Sequence, residues 1–511
     1  MEGELMNTVI PNKPDPKSNI STIPLNLFQT WHTEVLPPKM FECVTALKAA
    51  NPEFKHFFFN DATCRTFIQT HFDQHVLHAY DMLRPGAYKA DLWRYCVLYI
   101  MGGIYLDIKY RCIPPFKLIE LTTQEHYVRD RDYGDNPGVY QAVLVCYPKN
   151  KILKQCIAKI VEYVTTMEYG ANVLFIGPLL VSTYFNRSEM LTWPMKYTGL
   201  QVVRNQPILE IYPEYFEERK QNSISPYYMD LWCNRNMYAW KSLPFRKQTL
   251  MTRTISDNII LFLTSPKWID QGTTRVLFNQ WSSYVSHEDG TFSGSPESRL
   301  SRIETKTDTF TGFERLFDSK ISHFTVYSQD KNQIQYVYES QSVYGGMDSV
   351  DLCKTPLTTQ ITMKKMSPLP YKNTTYFVYE WYPLILLDST FKISEIHYHS
   401  HSFLKGLTSS VPCIQIGDVY WTILTKCVHY ELKGIPYKKY AHLFVVLNMD
   451  LSIVKYSEFF ILHDSNVSIL SDAHFQDNTF TLGYTISNGI CIISEFSMEE
   501  VAQLHWNYVI T

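Results

Sequence analysis

Asp107 and Lys109 are an acid and a base two residues apart in the segment GGIYLDIKY, residues 102–110. Because side chains alternate along a strand, this segment predicts that both project from one polar face together with Tyr105. Ligands of open α/β sheets bind at the carboxyl ends of the strands. There an acid can hold a divalent ion, and a lysine can offset the charge of a departing diphosphate. Taken alone, Asp-x-Lys is unspecific, and a surface ion pair is the alternative interpretation.

A second acid and base precede this strand in RPGAYKADLWRYCVLYIMGG, residues 84–103. The apolar run between Pro85-Gly86 and the two final glycines predicts a buried helix with a glycine stop. Asp91 and Arg94 interrupt it at a spacing of three residues, so they share one helix face. An internal salt bridge is one interpretation. The other is that Asp91 accepts hydrogen bonds from sugar hydroxyls while Arg94 faces a phosphate or a sugar oxygen.

Length, composition and net charge limit the class of protein. A chain of 511 residues with 45% hydrophobic and 19% charged residues predicts two or three folded domains. A formal net charge of -3 gives no basic footprint for nucleic acid. No apolar run reaches the roughly 18 residues of a membrane span. The 11 dispersed cysteines predict reduced thiols and a cytoplasmic protein.

The hydrophobic period divides the chain into three parts. Residues 1–21 are polar and are predicted to be a disordered tail. Residues 22–245 alternate strand and helix patterns, which predicts an α/β domain with a mostly parallel, Rossmann-like mixed sheet. Residues 246–511 have a period of two and recurring strand-turn-strand units. They predict an all-β domain, either a propeller, stacked hairpins or a sandwich.

Three blocks together resemble a known family. IPLNLFQTW, NPEFKHFFFND and KADLWRYCVLYIMGGIYLD occur in this order between residue 23 and about residue 185, with a looser tail to about residue 236. They resemble glycosyltransferases with a DxD sugar-binding region. Yeast initiating α-1,6-mannosyltransferases, bacterial capsular polysaccharide transferases and, more distantly, clostridial glucosylating toxins typify that group. The two-part layout is also similar to proteins of giant DNA viruses.

The resemblance implies a GT-A fold, a nucleotide-sugar donor, a glycan or other hydroxyl acceptor and retention of the anomeric configuration. By position, Asp107 matches the first DxD acid, which contacts the donor ribose and the metal. Asp91 and Arg94 match the pair that holds the donor sugar. The residues that match the strand end near the nucleotide base are Gln29, Thr30 and Trp31. Those that resemble the late segment are Asp230, for the metal, and Trp232, for the β-phosphate.

Lys109 departs from the family, because it occupies the place of the second DxD acid, the usual Mn²⁺ or Mg²⁺ ligand. Three interpretations follow. Lys109 itself neutralises the diphosphate as a catalytic residue beside Asp107. Alternatively, Asp107 and Asp230 hold the metal. In the third, the domain has lost catalysis and only binds carbohydrate through a degenerate DxD site.

The acceptor is expected near the loop RDRDYGDNPGVYQA, residues 129–142, where Asp132, Asp135 and Asn136 are candidate ligands. The β-rich half is similar to the five-bladed propellers of mannoside phosphorylases. A sugar phosphorylase or hydrolase active in that half is therefore a further alternative. If the protein is viral, the expected location becomes the host cytoplasm or the virion. The sequence predicts no oligomeric state.

Overall fold

The chain is described from a computed structural model. The described residues are 21–133, 136–191, 193, 196–197, 200–203, 206–222, 226–239, 241–243, 247–256, 259–271, 274–286, 292–293, 299–305, 314–315, 321–330, 333–341, 347–351, 367–389, 392–398, 401–409, 411–432, 435–463, 468–486 and 491–509. The chain divides into two compact units, Met1–Ala239 and Trp240–Thr511. Among these residues, no helix has both the length and the apolar character needed to cross a bilayer.

Helices and strands alternate through the N-terminal unit. Its strands are β1 (Asn26–Thr30), β2 (Lys55–Phe59), β3 (Gly103–Leu106), β4 (Tyr110–Cys112), β5 (His126–Tyr133), β6 (Asn136–Cys146), β7 (Lys196–Tyr197), β8 (Leu200–Val203) and β9 (Gln206–Ile211). Its helices are α1 (Pro38–Ala50), α2 (Asp61–His71), α3 (Gln74–Met82), α4 (Gly86–Met101), α5 (Lys151–Thr165), α6 (Pro178–Ser182), α7 (Arg187–Met190), α8 (Tyr215–Asn222) and α9 (Tyr228–Cys233), with a 3₁₀ turn at Leu118–Leu121.

The central sheet of this unit is mixed. Its five strands have the order β2-β1-β3-β6-β5. Strand β1 pairs in parallel with β2 and β3, whereas β6 pairs antiparallel with β3 and β5. A smaller sheet has the order β4-β9-β8-β7. The predicted mixed α/β sheet is therefore confirmed, but its parallel part is limited to β2, β1 and β3.

Local sequence explains where the helices begin and end. In α2, the side chains of Asn60 and Thr63 form a capping box with the first free backbone N–H groups. Helix α4 begins after Pro85 and ends at Gly102, whose φ of 61° allows the helix to stop. The segment NVLFIGPLL leads into the short helix α6, whose first position is occupied by Pro178.

The apolar faces of the central strands form the core beneath the first DxD position. Leu27, Ile104, Leu106 and Val145 are fully buried in one cluster. Two of them flank Tyr105 on β3, which leads directly to Asp107. Close packing of this kind leaves little freedom to the strand end, so the residues that follow β3 start from a fixed point.

The C-terminal unit consists almost entirely of strands. They are β10 (Lys241–Ser242), β11 (Lys247–Ser256), β12 (Ile259–Gln271), β13 (Thr274–Ser286), β14 (Phe292–Ser293), β15 (Arg299–Thr305), β16 (Glu314–Arg315), β17 (Ile321–Asp330), β18 (Gln333–Gln341), β19 (Met347–Asp351), β20 (Ser367–Tyr371), β21 (Thr374–Trp381), β22 (Leu384–Leu387), β23 (Ile393–His397), β24 (Ile414–Ile416), β25 (Val419–Leu432), β26 (Ile435–Asn448), β27 (Ile453–Ser457), β28 (Phe460–Ile461), β29 (Ser468–Gln476), β30 (Thr479–Ile486), β31 (Cys491–Ser497) and β32 (Trp506–Tyr508). A short helix, α10 (Met498–Ala502), and a 3₁₀ turn at Ser402–Leu404 interrupt them. The predicted all-β character is confirmed.

Antiparallel pairing dominates this unit, and aromatic side chains fill one of its cores. The described strands form sheets of nine, seven, four and three strands. The rings of Trp421, Phe444 and Phe480 lie within 6.1 Å of one another, centroid to centroid. Aromatic rings at such distances add edge and stacking attraction to their burial. Aromatic side chains of this unit therefore contribute to its buried core.

Replacing Gly103 with alanine is expected to destabilise the N-terminal unit by about 2–5 kcal/mol, through backbone strain and overpacking. Gly103 has a φ of 128°, and an added Cβ would lie 2.4 Å from the backbone oxygen of Asn26 on the neighbouring strand. Urea unfolding of the full chain, followed by circular dichroism, measures the loss.

Gly86→Ala is the matched control. Gly86 is the first residue of α4, and an added Cβ there meets nothing within 4 Å. Alanine also favours helices, so this variant should unfold at the same urea concentration as the wild type or at a higher one. Equal stability of the two variants would contradict the packing argument for Gly103.

Candidate active site

Asp107 was predicted within a strand, but it lies in the turn that follows β3. The strand ends at Leu106. The Asp107 backbone N–H donates to the carbonyl of Ala142 at 2.9 Å, and the Tyr110 N–H donates to the carbonyl of Asp107 at 3.1 Å. The prediction that strand alternation aligns Asp107 with Lys109 is therefore wrong. A tight turn between β3 and β4 brings the two side chains together instead.

The two charged groups form a close and largely buried ion pair. Lys109 Nζ lies 2.6 Å from Asp107 Oδ2, with the side chains 14% and 24% exposed. The hydroxyl of Tyr105 donates to the other carboxylate oxygen, Oδ1, at 2.9 Å. The alternative of an exposed surface pair is excluded by this burial.

Tyrosine rings surround the Lys109 ammonium. Nζ lies 5.3 Å from the ring centroid of Tyr110, 5.6 Å from that of Tyr140 and 6.0 Å from that of Tyr215. Burial by itself lowers the pKa of Lys109, but the Asp107 carboxylate and the neighbouring tyrosines raise it above its usual value. Lys109 is therefore a cation that lies among three tyrosine rings.

Arg94 joins the ion pair to α4. Its Nη2 lies 3.4 Å from Asp91 Oδ1, and its Nη1 lies 4.0 Å from Asp107 Oδ1. Nη1 also donates to the backbone carbonyl of Gln141 on β6. The guanidinium carbon stands 4.3 Å from the ring centroid of Tyr105. Four charged side chains, Asp91, Arg94, Asp107 and Lys109, thus form one cluster, called here the charge cluster.

The two acids of the charge cluster have opposite electrostatic environments. Burial raises the pKa of Asp91 to about 6, because attraction to Arg94 offsets the burial only in part and Asp107 adds repulsion. Burial also acts to raise the pKa of Asp107. There, however, Lys109, Arg94 and the hydrogen bonds from Lys109 and Tyr105 outweigh it and lower the pKa to about 2.

Gly177 makes room for Asp91. A Cβ on Gly177 would lie 2.4 Å from Asp91 Oδ2, so any larger residue would displace the carboxylate. The hydroxyl of Tyr95, one helical turn along α4, also lies 3.5 Å from the carbonyl of Gly177. The loop before α6 therefore fixes the Asp91 side of the charge cluster.

The structure assigns different positions to the three residues predicted near a nucleotide base. Gln29 is fully buried, and its Oε1 lies 2.9 Å from Nε2 of His56. The Thr30 hydroxyl donates to the carbonyl of Phe59 at 2.9 Å. Trp31 is partly exposed, but its ring nitrogen is buried and has no hydrogen-bond partner within the described ranges. Of the three, Thr30 and Trp31 are the two that are partly exposed.

The two late residues, Asp230 and Trp232, lie on α9. Asp230 is exposed, and Trp232 is half-buried. The indole N–H of Trp232 donates to the carbonyl of Tyr169 at 2.6 Å, so this donor is already used within the protein. Among the candidate acceptor residues, Asp132 is exposed. Asp135 and the side chain of Asn136 lie outside the described residues.

Sequence reasoning missed the residues that support the charge cluster. Gln141 and Gly177 are distant in sequence from α4 and contact it through the tertiary fold. Tyr140 and Tyr215 likewise reach Lys109 from separate elements. The sequence did predict that Tyr105 lies on the same face as Asp107, but it did not show the hydrogen bond between the two side chains.

Comparison with known proteins gives this geometry a family context. Residues 37–127 match the family model described as glycosyltransferase sugar-binding region containing DXD motif. This segment includes the whole charge cluster. The resemblance expected from the sequence is therefore confirmed, over a shorter segment than the predicted one.

Curated relatives carry related names. The initiation-specific α-1,6-mannosyltransferase of Candida albicans is 29% identical over 99 residues, which cover 18% of this chain and 26% of that enzyme. An uncharacterised glycosyltransferase of Acanthamoeba polyphaga mimivirus is 34% identical over 92 residues, 18% of this chain and 37% of the relative. Inositol phosphoceramide mannosyltransferase 2 of Schizosaccharomyces pombe is 23% identical over 251 residues, 46% of this chain and 71% of the relative. The match thus spans about a quarter of the length of the Candida enzyme.

The raised pKa of Asp91 predicts a pH-dependent effect of Asp91→Asn on stability. Because the folded pKa, about 6, exceeds the ordinary value of 3.8, the stabilisation from protonated Asp91 is complete below the ordinary value and is lost as the pH rises through 6. The neutral asparagine escapes this loss. The free energy of unfolding of the variant minus that of the wild type should therefore increase by up to roughly 3 kcal/mol between pH 4 and pH 7.

Melting temperatures of both proteins at intervals across this pH range test the sign. Asp230→Asn is the control, because it removes an exposed carboxylate in the same unit. A change with pH as large in this control as in Asp91→Asn would show that burial of Asp91 is not the cause. An Asp91→Asn effect that did not change with pH would show that Asp91 is ionised without cost.

Proposed function

We propose that the N-terminal unit is a GT-A glycosyltransferase domain that moves a hexose from a nucleotide-sugar donor to a hydroxyl group of a glycan or other acceptor, with retention of configuration. The observation that carries the proposal is the buried charge cluster, which lies inside the segment that matches the DXD family model. Its position after β3, beside the parallel strands of the sheet, is where ligands of α/β sheets bind.

In the proposed reaction, the bond between the anomeric carbon and the β-phosphate oxygen breaks. A bond from that carbon to the acceptor oxygen forms, and the acceptor proton passes to the departing phosphate oxygen. Negative charge grows on the diphosphate as the first bond breaks. A fixed cation that is already in place stabilises this charge without reorganisation. Lys109, whose pKa is raised by Asp107, is that cation.

Asp91 and Arg94 have the chemistry to hold the donor sugar. Asp91 is paired only loosely with Arg94, at 3.4 Å, so its oxygens keep the capacity to accept hydrogen bonds from sugar hydroxyls. Arg94 is held by the Gln141 carbonyl and the Tyr105 ring. This support fixes the guanidinium before the donor arrives. Trp31 is proposed to contact the nucleotide base through its partly exposed ring.

The residues present do not fit a divalent metal. Oδ2 of Asp107 is taken by Lys109, and Oδ1 accepts from Tyr105 and faces Arg94 at 4.0 Å. Mg²⁺ and Mn²⁺ prefer several oxygen ligands, and two cations beside one carboxylate repel a third. Asp230 belongs to no cluster of three potential ligands in the described part of the chain. We therefore propose that Lys109 replaces the metal electrostatically.

The names of the relatives indicate which substrates to test first. Two of the three are called mannosyltransferases, and one of these two is named for inositol phosphoceramide. Mannose is accordingly the first sugar to try, with GDP and UDP as the nucleotides. The donor, the acceptor and the predicted cytoplasmic location are proposals for this chain.

We also propose a five-bladed, propeller-like arrangement for the C-terminal unit. Five antiparallel groups follow one another: β11-β12-β13-β15, β17-β18-β19, β20-β21-β22-β23, β24-β25-β26-β27 and β29-β30-β31. The first half of β11 pairs with β31 and its second half with β12. Contacts of β12 with β17, β17 with β20, β20 with β24, β26 with β29 and β29 with β12 support a ring.

Lys109→Asp is the sharpest test of the reaction, because it restores the second acid of the DxD motif. Nucleotide release from GDP- and UDP-hexoses by the wild-type protein should persist in EDTA. The variant should lose roughly 100-fold or more of this activity in EDTA, the typical cost of one lost charge-stabilising group. Added Mn²⁺ should restore part of it, because two adjacent carboxylates suit that ion.

Lys39→Asp is the control. It makes the same charge reversal at an exposed lysine of α1 that is paired with Glu42, and it should retain activity without metal. Wild-type turnover that disappears in EDTA would reject the metal-free proposal. If no nucleotide sugar turns over under any condition, the transferase proposal fails in favour of a binding protein. Activity on sugars without a nucleotide would favour the phosphorylase or hydrolase alternative.

A further inference from the structure

Arg235 occupies a backbone position that normally favours glycine. It follows helix α9 with a φ of 49°. The Asn236 N–H donates to the carbonyl of Leu231 at 2.7 Å, and the Arg235 N–H donates to the carbonyl of Trp232 at 3.0 Å. These two bonds form a Schellman motif, in which the residue with positive φ is usually glycine because a Cβ is strained there. The chain therefore accepts a conformational cost to have an arginine at this point.

The Arg235 side chain packs against aromatic rings and has no counter-ion among the described residues. Its guanidinium carbon lies 4.6 Å from the ring centroid of Trp232 and 5.4 Å from that of Tyr169. In the part of the chain that the structure describes, its Nε is buried without a hydrogen-bond partner, and its Nη1 reaches the carbonyl of Trp232 only at 3.4 Å. No carboxylate among the described residues forms an ion pair with it. By contrast, Arg65 and Arg111 pair with acids at 2.7 Å.

Arg235 lies on the Asp91 side of α4. Tyr88 is three residues before Asp91, so the two residues share a helix face. The charges of Asp91 and Arg235 both act on the Tyr88 hydroxyl, which donates to the carbonyl of Val173 at 2.5 Å. Helix α9 also contacts α4 directly. The Tyr88 hydroxyl thus lies within electrostatic range of both the Arg235 guanidinium and Asp91, the acid that is proposed to hold the donor sugar.

We propose that Arg235 is a phosphate-binding residue of the candidate active site. A planar guanidinium with free N–H groups binds phosphate oxygens through paired hydrogen bonds. Trp232, the residue predicted to meet the β-phosphate, has its N–H committed to Tyr169, whereas Arg235, packed against the same ring, has donors to spare. The phosphate that Arg235 binds belongs either to the donor diphosphate or to a phosphorylated acceptor, and the experiment below distinguishes the two. This inference rests on the proposed function.

A purely structural role for Arg235, at the end of α9, makes a different prediction. A cation near a helix end can stabilise the last carbonyl groups. If that were its task, Arg235→Gly would destabilise the protein and leave ligand affinity unchanged. If it binds phosphate, the same variant relieves the positive φ, keeps or raises the melting temperature, and loses affinity for phosphate.

The test compares wild-type, Arg235→Gly and Arg235→Lys proteins by calorimetric titration. The probes are GDP and UDP, the nucleosides guanosine and uridine, and inositol phosphate beside inositol. Arg235→Gly should weaken one phosphate-bearing class about tenfold or more, while the phosphate-free partner of that class binds as before. Loss of nucleotide affinity identifies the donor as the source, and loss of inositol phosphate affinity identifies the acceptor. Arg235→Lys keeps the charge without the fork and should bind with intermediate affinity.

Lys149→Gly is the matched control. Lys149 also has a positive φ, 62°, and its ammonium lies 4.9 Å from the ring centroid of Tyr99. Its replacement relieves the same backbone strain and removes the same charge and ring contact, yet it should leave every titration unchanged. Wild-type binding that Arg235→Gly retains in full overturns this inference alone. A wild-type protein that binds none of the phosphate probes overturns both this inference and the proposed function.

Discussion

The charge cluster is the constraint on which the rest of the N-terminal unit depends. Two acids and two bases lie largely out of water within 4.0 Å of a partner. Removing charges from water is costly, and their mutual attraction offsets this only when the geometry is good and the remaining donors are satisfied. The cluster is neutral as a set, but the loss of one member leaves a buried charge without compensation. The surrounding fold must therefore hold all four in place.

Neighbouring elements meet this requirement from several directions. The tight turn after β3 brings Lys109 back to Asp107, and β6 provides the Gln141 carbonyl that anchors Arg94. Gly177, in the loop before α6, leaves the space that Asp91 needs. These contacts exist before any ligand binds. Preorganised groups of this kind are what charge stabilisation requires, because no rearrangement is needed when negative charge develops.

Asp91 and Asp107 have the same side chain, but their surroundings give them different pKa values. Asp107 receives two cations and a tyrosine hydroxyl, so its pKa falls to about 2 and its oxygens are fully engaged. Asp91 receives one looser contact with Arg94, and burial raises its pKa to about 6. The first acid orients the lysine. The second is paired with Arg94 alone among the described salt bridges and keeps acceptor capacity for a ligand.

The sequence alone determined the parts of this protein that depend on local pattern. Proline and glycine signals located α4, the hydrophobic period distinguished the α/β half from the β half, and short motifs identified Asp91, Arg94 and Asp107. Tertiary structure decided the parts that join distant segments. It placed Lys109 among Tyr140 and Tyr215, buried Gln29 against His56, and engaged the Trp232 donor with Tyr169. A local pattern reports which face of a helix or strand is apolar, but the partner that a buried polar atom finds depends on segments far away in the chain, and only the folded packing brings them together.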